Sequence, residues 1–253
     1  MDELSRVMIF KWGFLAVLWS FSATAEEFRL AAAANLSYVL PSIIQQFEQK
    51  TTHKVKLSLG STRSLTYQIM RGAPFEVFLS ADRLAVEKLK KSGLIKPPSI
   101  IYALGLLCFF QPKYSAVTLP NLAVTIYQGK LKRLAIANPE TAPYGLAARQ
   151  FLKTHQLWQA VKSQLVFAEN AAQAGQFALS GSVDAALLPC SISNMPLFTT
   201  KGNSTTLSKQ DYSLLEQVMV LLNDNNRAAS DFFEFMRSAS VKKLLLANGY
   251  QLP

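Results

Sequence analysis

Residues 134–152 read LAIANPETAPYGLAARQFL. The apolar run Leu134–Ala137 has the length of a buried strand, and Asn138-Pro139 stops it. Ala142-Pro143-Tyr144-Gly145 then leads into an amphipathic helix carrying Leu146, Gln150, Phe151 and Leu152. The order is strand, polar turn, helix N-terminus. Such a turn aims unpaired backbone N–H groups and the positive end of the helix dipole at the space above the strand, which favours an anion. One turn of this kind carries no function by itself, because most α/β proteins contain several that bind nothing.

The same arrangement recurs on both sides. Upstream, residues 28–33, 54–59 and 77–79 read as strands. Helices are expected over residues 36–51, over 64–71, and from Ser80-Ala81-Asp82 onward. This βαβαβα order predicts a parallel sheet covered on both faces, with ligands beyond the carboxyl ends of its strands. At those ends stand Ala34-Asn35-Leu36-Ser37, where Asn35 can cap a helix and donate a side-chain N–H, and Gly60-Ser61-Thr62-Arg63-Ser64, a glycine followed by hydroxyls.

A long apolar strand over residues 102–110 leads out of this unit, and residues 112–119 read as a surface turn. A second series follows: helix 122–127, strand 134–137, helix 145–155, a short helix 157–161 and strand 165–168. Asn170-Ala171-Ala172-Gln173 then opens a helix to Leu179, and strand 184–188 follows. Residues 214–222 form a strand with no partner of its own, and helices over 228–236 and 241–247 close the chain at Asn248-Gly249. The expected architecture is α/β with two lobes, each a mainly parallel sheet flanked by helices, and a ligand cleft between them. Residues 26–106 and 222–253 are assigned to lobe I and residues 107–221 to lobe II.

Residues 1–25 are read as a cleaved secretory signal. Arg6 and Lys11 precede the apolar Gly13-Phe14-Leu15-Ala16-Val17-Leu18-Trp19, and Ala23-Thr24-Ala25 is a small-x-small cleavage site. The apolar run is shorter than the roughly 20 residues a membrane span needs. An exported, non-spanning protein beginning at Glu26 is expected, in the periplasm. The chain is 50% hydrophobic and 17% charged with a net charge of +10, which the loss of Asp2, Glu3, Arg6 and Lys11 leaves unchanged. Its cations are scattered and form no nucleic-acid motif, so attraction of small anions is the better reading. Cys108 and Cys190, both in apolar runs, are equally compatible with a disulfide and with buried free thiols.

Catalytic machinery is sparse. The two histidines, His53 and His155, lie away from the predicted strand ends, and no G-x-S-x-G, H-E-x-x-H or phosphate-loop motif is present. The strand ends instead collect neutral donors: Asn35, Ser61, Thr62, Tyr144, Asn170 and nearby backbone N–H groups. A pocket rich in donors and poor in acceptors suits a fully deprotonated tetrahedral oxyanion, which has no proton to donate. Asp82, Glu140 and Glu169 are read as caps or surface charges.

Ala31-Ala32-Ala33-Ala34-Asn35-Leu36, Gly60-Ser61-Thr62, the run Gly72 through Asp82 and the run Asn138 through Ala147 together resemble the periplasmic molybdate-binding proteins of ABC transporters, and the likeness extends to Asn248-Gly249-Tyr250. The resemblance implies the periplasmic binding protein fold and an oxyanion held between two lobes by hydroxyls, backbone amides and a tyrosine. Carried over by position, the ligand-binding residues are Ala34, Asn35, Ser61, Thr62, Tyr144 and Ala172. The ligand the resemblance implies is molybdate or tungstate, with no catalytic residue, no cofactor and no metal other than the oxyanion itself expected. The implied partner is an ABC transporter permease, and the protein is expected to be a monomer that binds no nucleic acid. The sequence departs from the family pattern at Ala34, which lacks a hydroxyl, at Thr62, where serine is usual, and at Arg63, which replaces a small residue and is expected at the surface. These departures bear on the choice among molybdate, tungstate and sulfate. Other readings are a sulfate binder, an exported hydrolase or transferase using Ser61 or Tyr144, and a sensor subunit sharing the same closed surface.

Overall fold

Three parallel strands set the frame of the first half. The structure is a computed structural model and describes residues 25–95 and 98–253; the expected signal segment, apart from Ala25, lies outside the described residues. β1 (Glu27–Ala33) pairs in parallel with β2 (Lys54–Gly60) and, on its other side, with β3 (Val77–Ser80). Helices α1 (Leu40–Lys50), α2 (Thr62–Met70) and α3 (Arg83–Lys91) make the connections. Every residue of β3 is buried, as expected where a parallel sheet is covered on both faces.

The chain then changes sheets. β4 (Ser99–Gly105) ends in the first sheet and β5 (Leu107–Pro112) begins the second, with Leu106 between them. After α4 (Leu122–Tyr127) come β6 (Leu134–Ala137), α5 (Pro143–Thr154), β7 (Leu165–Ala168), α6 (Ala171–Leu179) and β8 (Ala185–Pro189). Two one-turn helices, α7 (Cys190–Ser193) and α8 (Pro196–Thr199), and β9 (Gly202–Thr206) follow. β10 (Leu215–Leu221) returns to the first sheet, and α9 (Arg227–Phe235) and α10 (Ala239–Ala247) finish the chain.

The two sheets share one plan. Their orders are β2-β1-β3-β10-β4 and β7-β6-β8-β5-β9. In each, three parallel strands come first and the fourth position runs antiparallel to both its neighbours. That reversed strand lies just past a crossing in each case: β5 after β4, and β10 after β9. The halves are therefore joined by two segments that pass between the sheets, the arrangement in which one rigid half can rotate against the other.

The core of the first half forms where Phe28, Phe47 and Phe232 meet. The Phe232 ring lies 5.2 Å from each of the other two, so α9 is locked onto β1 and α1. Gly145 fixes the second half. A Cβ there would press into the Ala137–Asn138 backbone, 2.7 Å from each carbonyl carbon, so glycine lets the start of α5 sit directly on the end of β6. Cys108 and Cys190 are joined in a disulfide, which ties the entry of β5 to the start of α7.

Several expectations need correction. The strand over residues 214–222 has two partners: β10 pairs with β3 and with β4. Residues 215–221 thus lie in the first sheet, and their assignment to lobe II with residues 107–221 is wrong. The signal for strand was strong, but pairing across more than a hundred residues leaves no local trace. The expected single strand over 102–110 is two strands in different sheets. The helix expected from residue 36 begins at Leu40, after a 3-10 turn at Ala34–Leu36. The stretch 157–161 is a turn, while β9, α7 and α8 were not anticipated.

Candidate functional site

The N-terminal turns gather at the carboxyl ends of the strands, between the two halves. The 3-10 turn Ala34–Leu36 ends β1, α2 follows β2, α5 follows β6, and α6 follows β7. Across the interface, Arg63 N–H donates to Thr141 O at 3.1 Å. Ser191 Oγ donates to Asn35 O at 3.0 Å, and Gln176 Nε2 to Tyr38 Oη at 3.2 Å. The halves are closed on each other.

Which donors remain free follows from the local bonds. In α2, Ser61 is the N-cap, with its Oγ accepting from Ser64 N–H and donating to Ser64 Oγ at 2.9 Å. Arg63 N–H is used across the cleft. Thr62 N–H remains, and Thr62 Oγ1 accepts from Ala81 N–H, which leaves its own proton to donate. In α6, Asn170 Oδ1 takes Gln173 N–H and Gln173 Oε1 takes Glu169 N–H. The N–H groups of Ala171 and Ala172, in the first turn of that helix, have no partner within it. In α5 the N1 residue is Pro143, so Tyr144 and Gly145 offer the first N–H groups.

Tyr144 adds a side-chain donor. It is buried, and its hydroxyl has no hydrogen-bond partner. Asn35 Oδ1, likewise buried without a partner, lies close enough to draw the phenol's pKa slightly back, though not in hydrogen-bonding geometry. Burial, with Tyr250, Tyr102 and Tyr212 nearby, pushes the Tyr144 hydroxyl well above its ordinary value, so it stays a neutral donor. Tyr102 is raised for the same reasons and Tyr250 by burial.

These three phenols carry a stability consequence. Their folded pKa values lie above the ordinary 10.0, so the native state keeps protons that the unfolded chain loses. Stability is intact below pH about 10 and falls as pH rises past it. The melting temperature should drop between pH 9.5 and 11.5, with phenolate absorbance at 295 nm from these residues appearing only as the protein unfolds.

Of the three carboxylates near the cleft, two are engaged elsewhere. Asp82 Oδ1 caps α3 at Ala85 N–H; burial raises its pKa, with Arg63 pulling the other way. Glu140 pairs with Arg149, and Glu169 is exposed. The histidines pair outside the site, His53 with Asp231 and His155 with Asp211. Among the described residues no group of His, Cys, Asp or Glu could hold a metal ion, and no helix is long and apolar enough to cross a membrane.

The six residues expected to bind ligand lie in the turns that follow β1, β2, β6 and β7. Ala34, Asn35, Ser61, Thr62 and Tyr144 are buried and Ala172 is half-buried. The expected role of Asn35 changes, however. It caps no helix, and both N–H groups of its side chain are spent inside the protein, on Gln217 Oε1 and Tyr250 Oη at 2.8 Å each. Arg63 is exposed. It lines a groove of about 290 Å³ with Thr62, Tyr67, Lys88 and Thr141, where Lys88 Nζ stands 4.2 Å over the Tyr67 ring.

A model of the bacterial extracellular solute-binding protein family matches residues 28–251, nearly all of the described chain. The chain belongs to that family. This solute-binding protein is 35% identical over 253 residues to the molybdate-binding protein ModA of Azotobacter vinelandii, covering 99% of this chain and 98% of the relative. It is 30% identical over 232 residues to the molybdate-binding protein ModA of Rhodobacter capsulatus, covering 90% and 89%. The solved structure of the Azotobacter vinelandii periplasmic molybdate-binding protein superposes with a TM-score of 0.82 at 28% identity, over 89% of the solute-binding protein and 99% of that chain.

Proposed function

We propose that the protein captures molybdate or tungstate in the periplasm and delivers it to an ABC transporter permease, without altering it chemically. The observation that carries this reading is the convergence of four N-terminal turns and the partnerless Tyr144 hydroxyl on one closed cleft, while Asp82 and Glu140 are bonded to other groups and Glu169 is exposed. Charge-assisted hydrogen bonds contribute roughly 1.5–3 kcal/mol each. Five to seven of them offset the desolvation of a dianion. Phosphate is protonated at neutral pH and needs an anionic acceptor that this cleft does not present. The ligand-binding residues in this reading are Ala34, Asn35 and Ala172 through backbone N–H groups, Ser61 and Thr62 through the cap of α2, and Tyr144 through its hydroxyl. Closure stabilised by the ligand gives the permease one shape to recognise. The names of the relatives support the choice of anion, and the signal pattern read in residues 1–25 supports export of a chain beginning at Glu26. No cofactor takes part, and His53 and His155, each paired to a carboxylate outside the cleft, supply no base for Ser61 or Tyr144.

Calorimetric titration with molybdate, tungstate, sulfate and phosphate tests this. Molybdate and tungstate should bind in 1:1 stoichiometry, sulfate more weakly, and phosphate not measurably. Heat from none of the four, or from phosphate alone, rejects the reading.

A further inference from the structure

We infer that Gln217 and Tyr250 are positioning residues of the oxyanion site, acting through Asn35; this rests on the function proposed above. Asn35 sits where β1 ends and is 1% exposed. Its side-chain amide has two N–H groups, and both are committed, one to Gln217 Oε1 and one to Tyr250 Oη. Its backbone carbonyl is held too, by Tyr250 Oη at 3.1 Å and Ser191 Oγ at 3.0 Å. The side chain therefore acts as a brace. It fixes the turn Ala34–Leu36 and leaves the ligand to that turn's backbone N–H groups.

The brace ties into the strands that flank the crossings. Gln217 is fully buried on β10, beside the register shift between Gln217 and Val218, and its Nε2 donates to Leu215 O at 2.9 Å and Ala81 O at 3.4 Å. The tail after α10 holds Tyr250, and the next residue, Gln251, bonds Leu104 in both directions through the backbone, at 2.7 and 2.9 Å. Leu104 precedes the crossing into β5. Ser191 comes from the second half, directly after the disulfide-bonded Cys190. Gln217 from β10, Tyr250 from the tail and Ser191 from the opposite half thus meet at one asparagine. A buried polar network with this many fixed members holds one geometry, and the loss of one member frees the others.

The test is a double-mutant cycle on molybdate affinity and dissociation rate, with melting temperatures as the check on folding. Tyr250→Phe and Gln217→Met keep volume while removing an acceptor for the Asn35 amide. Each should weaken molybdate binding about 10- to 100-fold, mainly through faster dissociation, and change the ratio of molybdate to sulfate affinity. In an Asn35→Ala background neither should weaken binding further. Tyr102→Phe, which removes a neighbouring buried hydroxyl with no partner, should bind within twofold of the parent. Should either near-isosteric variant fail to fold, the other carries the cycle. Full additivity with Asn35→Ala, or affinities within twofold for both variants, overturns the positioning role while the proposed function stands. If the parent protein binds none of the oxyanions, both fall together.

Discussion

Gly105→Ala should weaken oxyanion binding by about 100-fold or more and lower the melting temperature by several degrees. Gly105 is the last residue of β4, at the crossing between the halves. A Cβ placed on it would overlap the Tyr144 hydroxyl, lie 3.0 Å from Tyr144 Cζ and 2.9 Å from Gln217 Nε2. Neither neighbour yields cheaply. The Tyr144 ring is rigid and buried from the second half, and the Gln217 amide is bonded on both sides. Overpacking of this kind costs about 1–3 kcal/mol, or roughly 2–4 °C per kcal/mol in a chain of this size. The larger effect falls on binding, because in the closed structure Tyr144 of the second half lies against Gly105 of the first. The substitution therefore opposes the closed form specifically. Adding Tyr144→Phe removes the oxygen that the new methyl strikes and should restore most of the melting temperature without restoring affinity. Calorimetry and thermal denaturation of the single and double variants check both parts. An affinity for Gly105→Ala within threefold of the parent sinks the idea that this glycine is the seat of the phenol.

The sequence made the alternating elements visible because each carries its own local signal. Leu134–Ala137 is a short apolar run stopped by Asn-Pro, and the structure buries all of it. Asp82, Asn170 and Ser61 are all N-caps in the structure, and their side-chain chemistry announces that position. The location of the cleft was legible for the same reason, since strand-to-helix turns mark one end of a parallel sheet. What remained hidden was long-range. Nothing local to Leu215–Leu221 says that it inserts between β3 and β4, and the apolar run 102–110 reads as one continuous strand where the structure has two.

The Asn35 side chain shows the same limit at the scale of one residue. Asparagine at the end of a strand reads as a cap or a ligand donor, because both uses are common there. Its partners Gln217 and Tyr250 are 182 and 215 residues away, so their claim on its amide could not be read locally. A faint signal existed. Gln217 is an uncharged polar residue within the apolar strand LEQVMVL, and a buried amide needs partners. Gly105 had a weaker one, a glycine inside a strand, which often marks close approach by another group. Arg63 was legible in full: a long cationic side chain on the first turn of an exposed helix reaches solvent.

Tyr144→Phe should move affinity and stability in different directions, which no merely structural role predicts. The hydroxyl is buried with no partner in the closed cleft, and a buried polar group left unsatisfied costs about 1–3 kcal/mol. Removing it while keeping the ring leaves the Phe151 and Leu152 side of α5 packed as before, so the ligand-free melting temperature should stay level or rise. In the complex the same hydroxyl donates to an anionic oxygen. Such a bond contributes roughly 1.5–3 kcal/mol, so molybdate affinity should fall by about 10- to 150-fold. The pH profile separates this loss from any ionisation of the phenol. Burial holds the Tyr144 pKa well above 10, so the ratio of parent to variant affinity should stay constant from pH 6 to 9. Parallel melting curves and titrations across that range check both signs. A variant that loses stability but keeps its affinity would make Tyr144 a packing residue of the second half and move the ligand elsewhere in the cleft.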